Sequence, residues 1–483
     1  MLPTDALCFG ALGFGVTWTL SDFMFASVPT FMRCLPEGLL LPDRMSVGNL
    51  TAQVAGLVVW RVSTAVFGNP SFKGYAAVVW ASLAIHIGGA VIVALGWTVV
   101  VDSHAVVVIG VESFAALVGT TSWAATIPFI STHFAEDKMV SAFFTGSTCG
   151  SLVAGLLSFS RWSPLVSLLI LALLLVPSVL AWCWILKHAK RRHIGTSSAS
   201  TLPLEIPMEV LPPTPSSDPK GIDEIVVDED TIDVAAVAAA RAGAASPVAS
   251  PHQRPSLHHQ WVAPWLQESL GPWAIAVPIN MATWGFAPNV SNLAAAHAGC
   301  SCDPADEVVN TTYNIVLSFG FTAMPLAALL SYLRPCHSIQ FLRLLAVILI
   351  ACFALLLSGA SGAAFMSCST GASVTLALAV FAMRAIDTYV TAMLYRLVAV
   401  RCRARSSVAP AEAEKATLAL GQLLVATTLT AVLLAVTLVD RGVLACRIGG
   451  GHDNGSPLGA NATGPSPLTG AEHGSDSDCH AFI

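Results

Sequence analysis

The chain has 483 residues, of which 55% are hydrophobic and only 11% charged, whereas soluble domains carry about a quarter charged residues. Its mean hydropathy is +0.71, and its apolar residues gather in runs of about 20, the length that crosses a bilayer. These properties exclude a soluble enzyme, and a net charge of −6 offers nothing to a nucleic acid.

Eleven runs read as membrane spans: 6–30, 45–66, 75–99, 105–130, 141–159, 163–187, 271–295, 311–333, 340–361, 372–397 and 416–439. The first has no basic region ahead of it, so it is expected to stay as an anchor rather than be cleaved as a signal peptide. Pro36, Gly38, Pro42 and four charges (Arg33, Glu37, Asp43, Arg44) separate it from the second. Proline disfavours helix at the residue before it, so Leu35-Pro36-Glu37-Gly38 is expected to be a structured corner. Between spans six and seven, residues 188–268 turn rich in Pro, Ser, Ala and acidic residues. Such a segment buries too little apolar surface to order itself. The expected organisation is an all-α polytopic membrane protein in a six plus five arrangement. Helices 1–6 lie in 1–187, a disordered cytosolic linker in 188–268, helices 7–11 in 269–440 and a disordered extracellular tail in 441–483.

Orientation follows from lysine and arginine near the span ends. Arg61, Lys73, Lys187, Lys190, Arg191, Arg192, Arg334, Arg343, Arg396, Arg401, Arg403 and Arg405 all fall on the side of the N-terminus, and only Arg33, Arg44, Arg161, Arg441 and Arg447 on the other. The N-terminus and linker are therefore expected to be cytosolic and the C-terminus extracellular. The sequons at Asn310, Asn454 and Asn461 fall on the outer side, where glycosylation occurs. So do six of the twelve cysteines, Cys34, Cys300, Cys302, Cys368, Cys446 and Cys479, in a compartment that permits disulfides.

No Walker loop, nucleotide-binding glycine fingerprint or zinc-spaced ligand set is present, so no cofactor or metal is expected. Charges inside the spans are the sharper signal, because they are costly in hydrocarbon and usually face a cavity or a partner. Asp22 sits in span one, on one helix face with Trp18 and Phe25. Arg384 and Asp387 are three apart in span ten and are expected either to pair or to face a ligand. Glu112, nearer the outer end of span four, is expected to reach the interface. A hydroxyl residue followed by tryptophan recurs as Thr17-Trp18, Ser122-Trp123 and Thr283-Trp284, the last two followed by Pro128 and Pro288. Proline frees backbone carbonyls, tolerated at membrane depth where they face protein or a cavity. Broken helices near the midplane are where transporters place substrate, although single tryptophans also form interfacial belts.

Trp18, Pro29, the Leu35–Gly38 corner, Leu41-Pro42 and Ser46-Val47 together resemble the N-terminal signature of the eukaryotic riboflavin transporters. Pro128-Phe129-Ile130-Ser131 with Phe143-Phe144 and Gly146 is similar to that family's fourth-to-fifth span connection. Asn280, Thr283, Gly285, Pro288 and Val290 match its seventh span, Tyr313 and Pro325-Leu326 its eighth, and Tyr389-Val390 its tenth. There are departures. Asp22, Trp123 and Trp284 stand where the family tends to carry asparagine, Phe25 where it has tryptophan, Ser27 where it has glutamate, and Thr391 where it has lysine.

The resemblance implies a plasma-membrane transporter for facilitative uptake of riboflavin by alternating access, with no enzymatic chemistry and with membrane lipid and the small-molecule substrate as its partners. It implies a substrate site among Trp18, Asp22, Phe25, Trp123, Asn280, Thr283, Trp284 and Tyr389, and gating or structural roles for Pro36, Glu37, Gly38, Arg384 and Asp387. The late outer cysteines fall at family-like positions, and Cys368–Cys446 is the favoured pair, with other pairings left open by the spacing. A carrier for another heterocycle, such as a nucleoside or pterin, is the alternative within transport. A non-transporting surface receptor or scaffold is the alternative outside it. A tag within residues 200–250 is expected to be reached only from the cytosol, and a tag after Ile483 from outside intact cells. Labelling of both from one side would overturn the eleven-span layout.

Overall fold

The computed structural model describes residues 3–67, 72–102, 105–134, 138–160, 162–199, 264–303, 306–336, 338–363, 369–405 and 409–444. Every regular element among them is helical. The first six expected spans correspond to α1 (Pro3–Val16), α2 (Thr19–Ala26), α3 (Val28–Cys34), α4 (Leu41–Phe67), α5 (Phe72–Leu95), α6 (Trp97–Asp102), α7 (Ala105–His133), α8 (Lys138–Ser158) and α9 (Pro164–Ala199). The remainder comprises α10 (Pro264–Asn280), a π-helical segment (Met281–Phe286), α11 (Ala287–Gly299), α12 (Glu307–Leu333), α13 (Ile339–Ala360), α14 (Thr370–Arg405) and α15 (Ala409–Asp440).

Eight of the described helices (α5, α7, α8, α9, α12, α13, α14 and α15) are long and apolar enough to cross a membrane, and a ninth span results if the bent pair α1 and α2 counts as one. Two expected spans take another form. The second lies in α4, which carries Asn49, Gln53 and Arg61 and is less apolar; the seventh is divided by the π segment. Helix α9 continues to Ala199, since no proline interrupts residues 187–199, and α10 begins at Pro264. Proline is tolerated there because a helix's first N–H is unpaired in any case. Residues 200–263, 364–368 and the tail from 445 lie outside the described residues, and with them Cys368, Cys446, Asn454 and Asn461. The described residues from 3 to 185 and from 264 to 444 form one compact unit.

The first span turns by 54° between α1 and α2. A helix broken in hydrocarbon must find new partners for its freed backbone groups, and here hydroxyls supply them. Thr17 Oγ1 donates to the Gly13 carbonyl (2.8 Å) and shares a hydrogen bond with Ser147 Oγ (2.9 Å), while Thr19 Oγ1 donates to the Phe14 carbonyl at 2.6 Å. Small residues let the neighbours close in on the bend. A Cβ added at Gly119 of α7 would overlap the Thr17 carbonyl and the Trp18 ring, and one at Gly150 of α8 would overlap the Thr19 hydroxyl.

Below the bend α1 runs against α8 with the two backbones in contact. A Cβ at Gly13 would collide with the Phe143 carbonyl, and one at Gly146 with the Gly10 carbonyl. Close backbone approach through small residues is how membrane helices associate without a hydrophobic driving force. Elsewhere α4 packs along α7, and α12 along both α14 and α8. Helix α15 touches α4, α7, α10, α14 and the π segment, so it joins the two halves of the sequence.

The corner forms as expected. Helix α3 stops at Cys34, Leu35 is extended, Gly38 takes a φ of 51°, and a 3-10 turn over Gly38–Leu40 leads into α4. Arg44 and Glu37 pair at 3.3 Å. Asn292 of α11 donates to the Leu39 carbonyl at 2.6 Å and ties the corner to the second half. The sequon asparagine Asn310 is not presented for a glycan: it is 1% exposed, and its amide donates to the Asp306 carbonyl at 3.0 Å. Asp306 caps α12 through the Val308 N–H (2.8 Å), and that bond holds its carboxyl below the usual carboxylate range.

The glycine seam makes a prediction. Gly146→Leu drives a side chain into the α1 backbone and is expected to abolish surface delivery, whereas Gly110→Ala, whose Cβ meets nothing within 4 Å, should leave it unchanged. Quantitative blotting of surface-labelled protein checks both.

Candidate functional site

A cavity of about 230 Å³ lies between α2, α4, α7 and α8 on one side and the π segment, α11, α12, α14 and α15 on the other. Of the residues expected at a substrate site, Trp18, Asp22, Phe25, Trp123, Asn280 and Trp284 line it. Thr283 and Tyr389 do not. Thr283 is fully buried, and the Tyr389 hydroxyl donates to the Arg334 carbonyl at 2.9 Å, fastening α14 to the end of α12. Pro36, Glu37 and Gly38 stay at the corner, away from the cavity.

The two broken helices contribute Trp18 and Trp284 to the aromatic wall. Trp18 sits at the bend of the first span, and its indole N–H donates to Thr120 Oγ1 at 3.2 Å. The Trp18 ring lies 6.2 Å from that of Trp123. Trp123 is turned edge-on to Tyr395 at 5.7 Å, and Tyr395 lies 5.6 Å from Phe144. Gly421 of α15 leaves room for this group, since a Cβ there would enter the Trp123 ring. Trp123, only 7% exposed, is thus packed among aromatics, whereas Trp18 and Trp284 are half-buried and open to the cavity.

Trp284 lies in the π segment. Such segments arise where one residue too many is accommodated in a helix and are frequent at functional sites. Asn280 anchors its start, donating to the Leu424 carbonyl at 2.8 Å and to Thr428 Oγ1. The expected break at Pro128 is absent, and α7 runs continuously through that residue. In the seventh span the π segment, not Pro288 alone, makes the interruption.

Arg384 and Asp387 face the cavity from α14, but no ion pair joins them. Trp284 connects them instead. Its indole N–H donates to Asp387 Oδ2 at 2.7 Å, and the Arg384 guanidinium lies over its ring, 3.9 Å from the centroid, a cation–π contact. Nη1 of Arg384 and Oδ1 of Asp387 are buried without hydrogen-bond partners. Across the cavity, Ser151 donates to Asp22 Oδ2 at 2.5 Å.

A polar cluster that sequence reasoning missed lies beside Asp22. Glu112 does not reach the interface; it is fully buried. Its Oε1 accepts from Ser21 at 2.8 Å and from Asn49, and Asn49 in turn accepts from Gln53 at 2.5 Å. Ser21, Asn49 and Gln53 line the cavity. The signal was Asn49 and Gln53 one helical turn apart on an otherwise apolar face.

No protein-family model matches this chain, and no curated protein matches it either.

Trp284→Phe keeps the ring face but removes the N–H from Asp387. Leaving a buried acceptor short of a donor costs about 1–3 kcal/mol, so the purified variant should melt at a lower temperature. An unchanged melting temperature would mean that this bond contributes nothing to the fold.

Proposed function

We propose that the chain is a plasma-membrane transporter that takes up riboflavin by facilitative alternating access. The supporting observation is a single cavity with walls from both halves of the sequence, fed by a bend in the first span and a π segment in the seventh. Discontinuous helices meeting at the junction of two helical bundles are how carriers expose polar groups to a substrate at membrane depth. Trp18 and Trp284 offer faces for a flat ring system. Asp22, Asn49, Gln53, Arg384 and Asp387 offer polar groups for a heterocycle edge and a polyol. The halves rock about the cavity, and no covalent step is involved. In this reading eleven spans place the N-terminus in the cytosol and the C-terminus outside, with a Cys368–Cys446 disulfide and glycans at Asn454 and Asn461.

One observation favours a smaller cargo. The cavity, about 230 Å³, is below the roughly 300–1,000 Å³ usual for drug-sized ligands. A nucleoside or pterin carrier is the second reading. Saturable uptake of labelled riboflavin by expressing cells supports the first; uptake competed only by smaller heterocycles supports the second; none by surface-resident protein removes both and leaves a receptor or scaffold.

Trp18→Ala is expected to weaken apparent affinity three- to tenfold per surface molecule, since an aromatic face contributes about 0.5–1.5 kcal/mol beyond its area. Trp18→Phe should recover part of the loss. Asp22→Asn keeps an acceptor for Ser151 and should preserve riboflavin uptake, whereas abolished uptake would mean that the Asp22 charge itself serves transport. Unchanged affinity in Trp18→Ala would remove the stacking role.

A further inference from the structure

We infer that Arg384 and Asp387 together read a cyclic imide, the carbonyl, N–H, carbonyl edge of a flat uncharged heterocycle. The inference rests on the transport reading above and names the chemistry that its site selects. A guanidinium carries five N–H donors in a rigid planar fork and no acceptor. Here one face of that plane is occupied by Trp284, while Nη1 is buried with no acceptor. The charge itself is provided for, because Asp387 and Asp22 both act on it electrostatically. Each carboxylate, however, takes its hydrogen bond elsewhere, Asp22 from Ser151 and Asp387 from Trp284. The cation is therefore compensated while its donors are left for something else.

Asp387 has the converse vacancy, a buried Oδ1 with no donor. The two groups are three residues apart on α14 and line the same cavity, so an unmet donor and an unmet acceptor belong to one helix at one cavity. Three ligand charges can be compared. An anion would satisfy Arg384 but meet two carboxylates, Asp22 and Asp387. A cation would satisfy Asp387 but stand against Arg384 and leave its donors empty. A neutral imide gives one carbonyl to Arg384 and its N–H to Asp387. Trp284 holds Asp387 by its N–H and Arg384 by its ring face, and so restrains both side chains. The dione ring of riboflavin and the uracil ring of uridine present this same edge.

Equilibrium dialysis with purified full-length protein separates the sources and tests the edge, using riboflavin, riboflavin methylated on its imide nitrogen, and uridine. Methylation is expected to weaken binding about ten- to a hundredfold, the range for a hydrogen bond to a charged group. Arg384→Lys keeps the charge but loses the fork, and should weaken the parent imide by a similar factor. Uridine binding without riboflavin binding would remove the riboflavin reading and leave the imide inference standing. Riboflavin and its methylated form binding equally well would overturn the inference and leave the riboflavin reading standing. Binding of neither imide would overturn both. If Arg384→Lys does not fold, the methylation comparison in the unaltered protein decides alone.

Discussion

A helix that breaks inside a membrane leaves amides and carbonyls with no water to take them. Both interruptions of this chain stand where other groups do so. At the first, Thr17 and Thr19 turn their hydroxyls onto carbonyls of the preceding turn. At the seventh, the backbone widens into a π segment and Asn280 secures its start to α15. Because the bends are satisfied locally, they can stand open to a cavity without further support. Gly119 and Gly150 bring α7 and α8 against the first bend, and Gly285 brings the π segment against α15, close enough to form its walls.

The charges obey a related rule. An isolated charge in hydrocarbon is costly, and a direct ion pair is one remedy. Here an indole intervenes, with a ring face for the cation and an N–H for the anion. This arrangement keeps Arg384 and Asp387 apart enough for each to retain bonding capacity. Glu112 is treated differently: Ser21 and Asn49 enclose one of its oxygens, and the residue never reaches the cavity wall.

Much of this was legible in the chain because hydrocarbon thickness sets a length that apolar runs must match. The corner at Leu35–Gly38 was legible from its prolines and glycine, and Trp18, Asp22 and Phe25 from helical spacing. What escaped depends on partners that spacing within one helix does not reveal. Arg384 and Asp387 look like a pair at three residues' distance, and only packing brings Trp284 to them from another helix. Pro128 looks like a break, yet α7 absorbs it. Asn310 looks like a glycan acceptor, but it lies in the first turn of α12, and its side chain turns back onto Asp306. The bend at Thr17 is marked by hydroxyls alone, which occur in continuous helices as well.

The seam between α1 and α8 has a consequence for biogenesis. Thr17 and Ser147, which meet there, are 130 residues apart in the chain. At ribosomal rates of about 5–20 residues per second, α8 emerges on the order of ten seconds after α1. For that interval the glycine face of the first helix has no partner, and its bent end has lipid or the insertion machinery for a neighbour. The first helix is thus committed to a shape that only the fifth span completes, and a chaperone holding that bare face during synthesis would be filling in for α8.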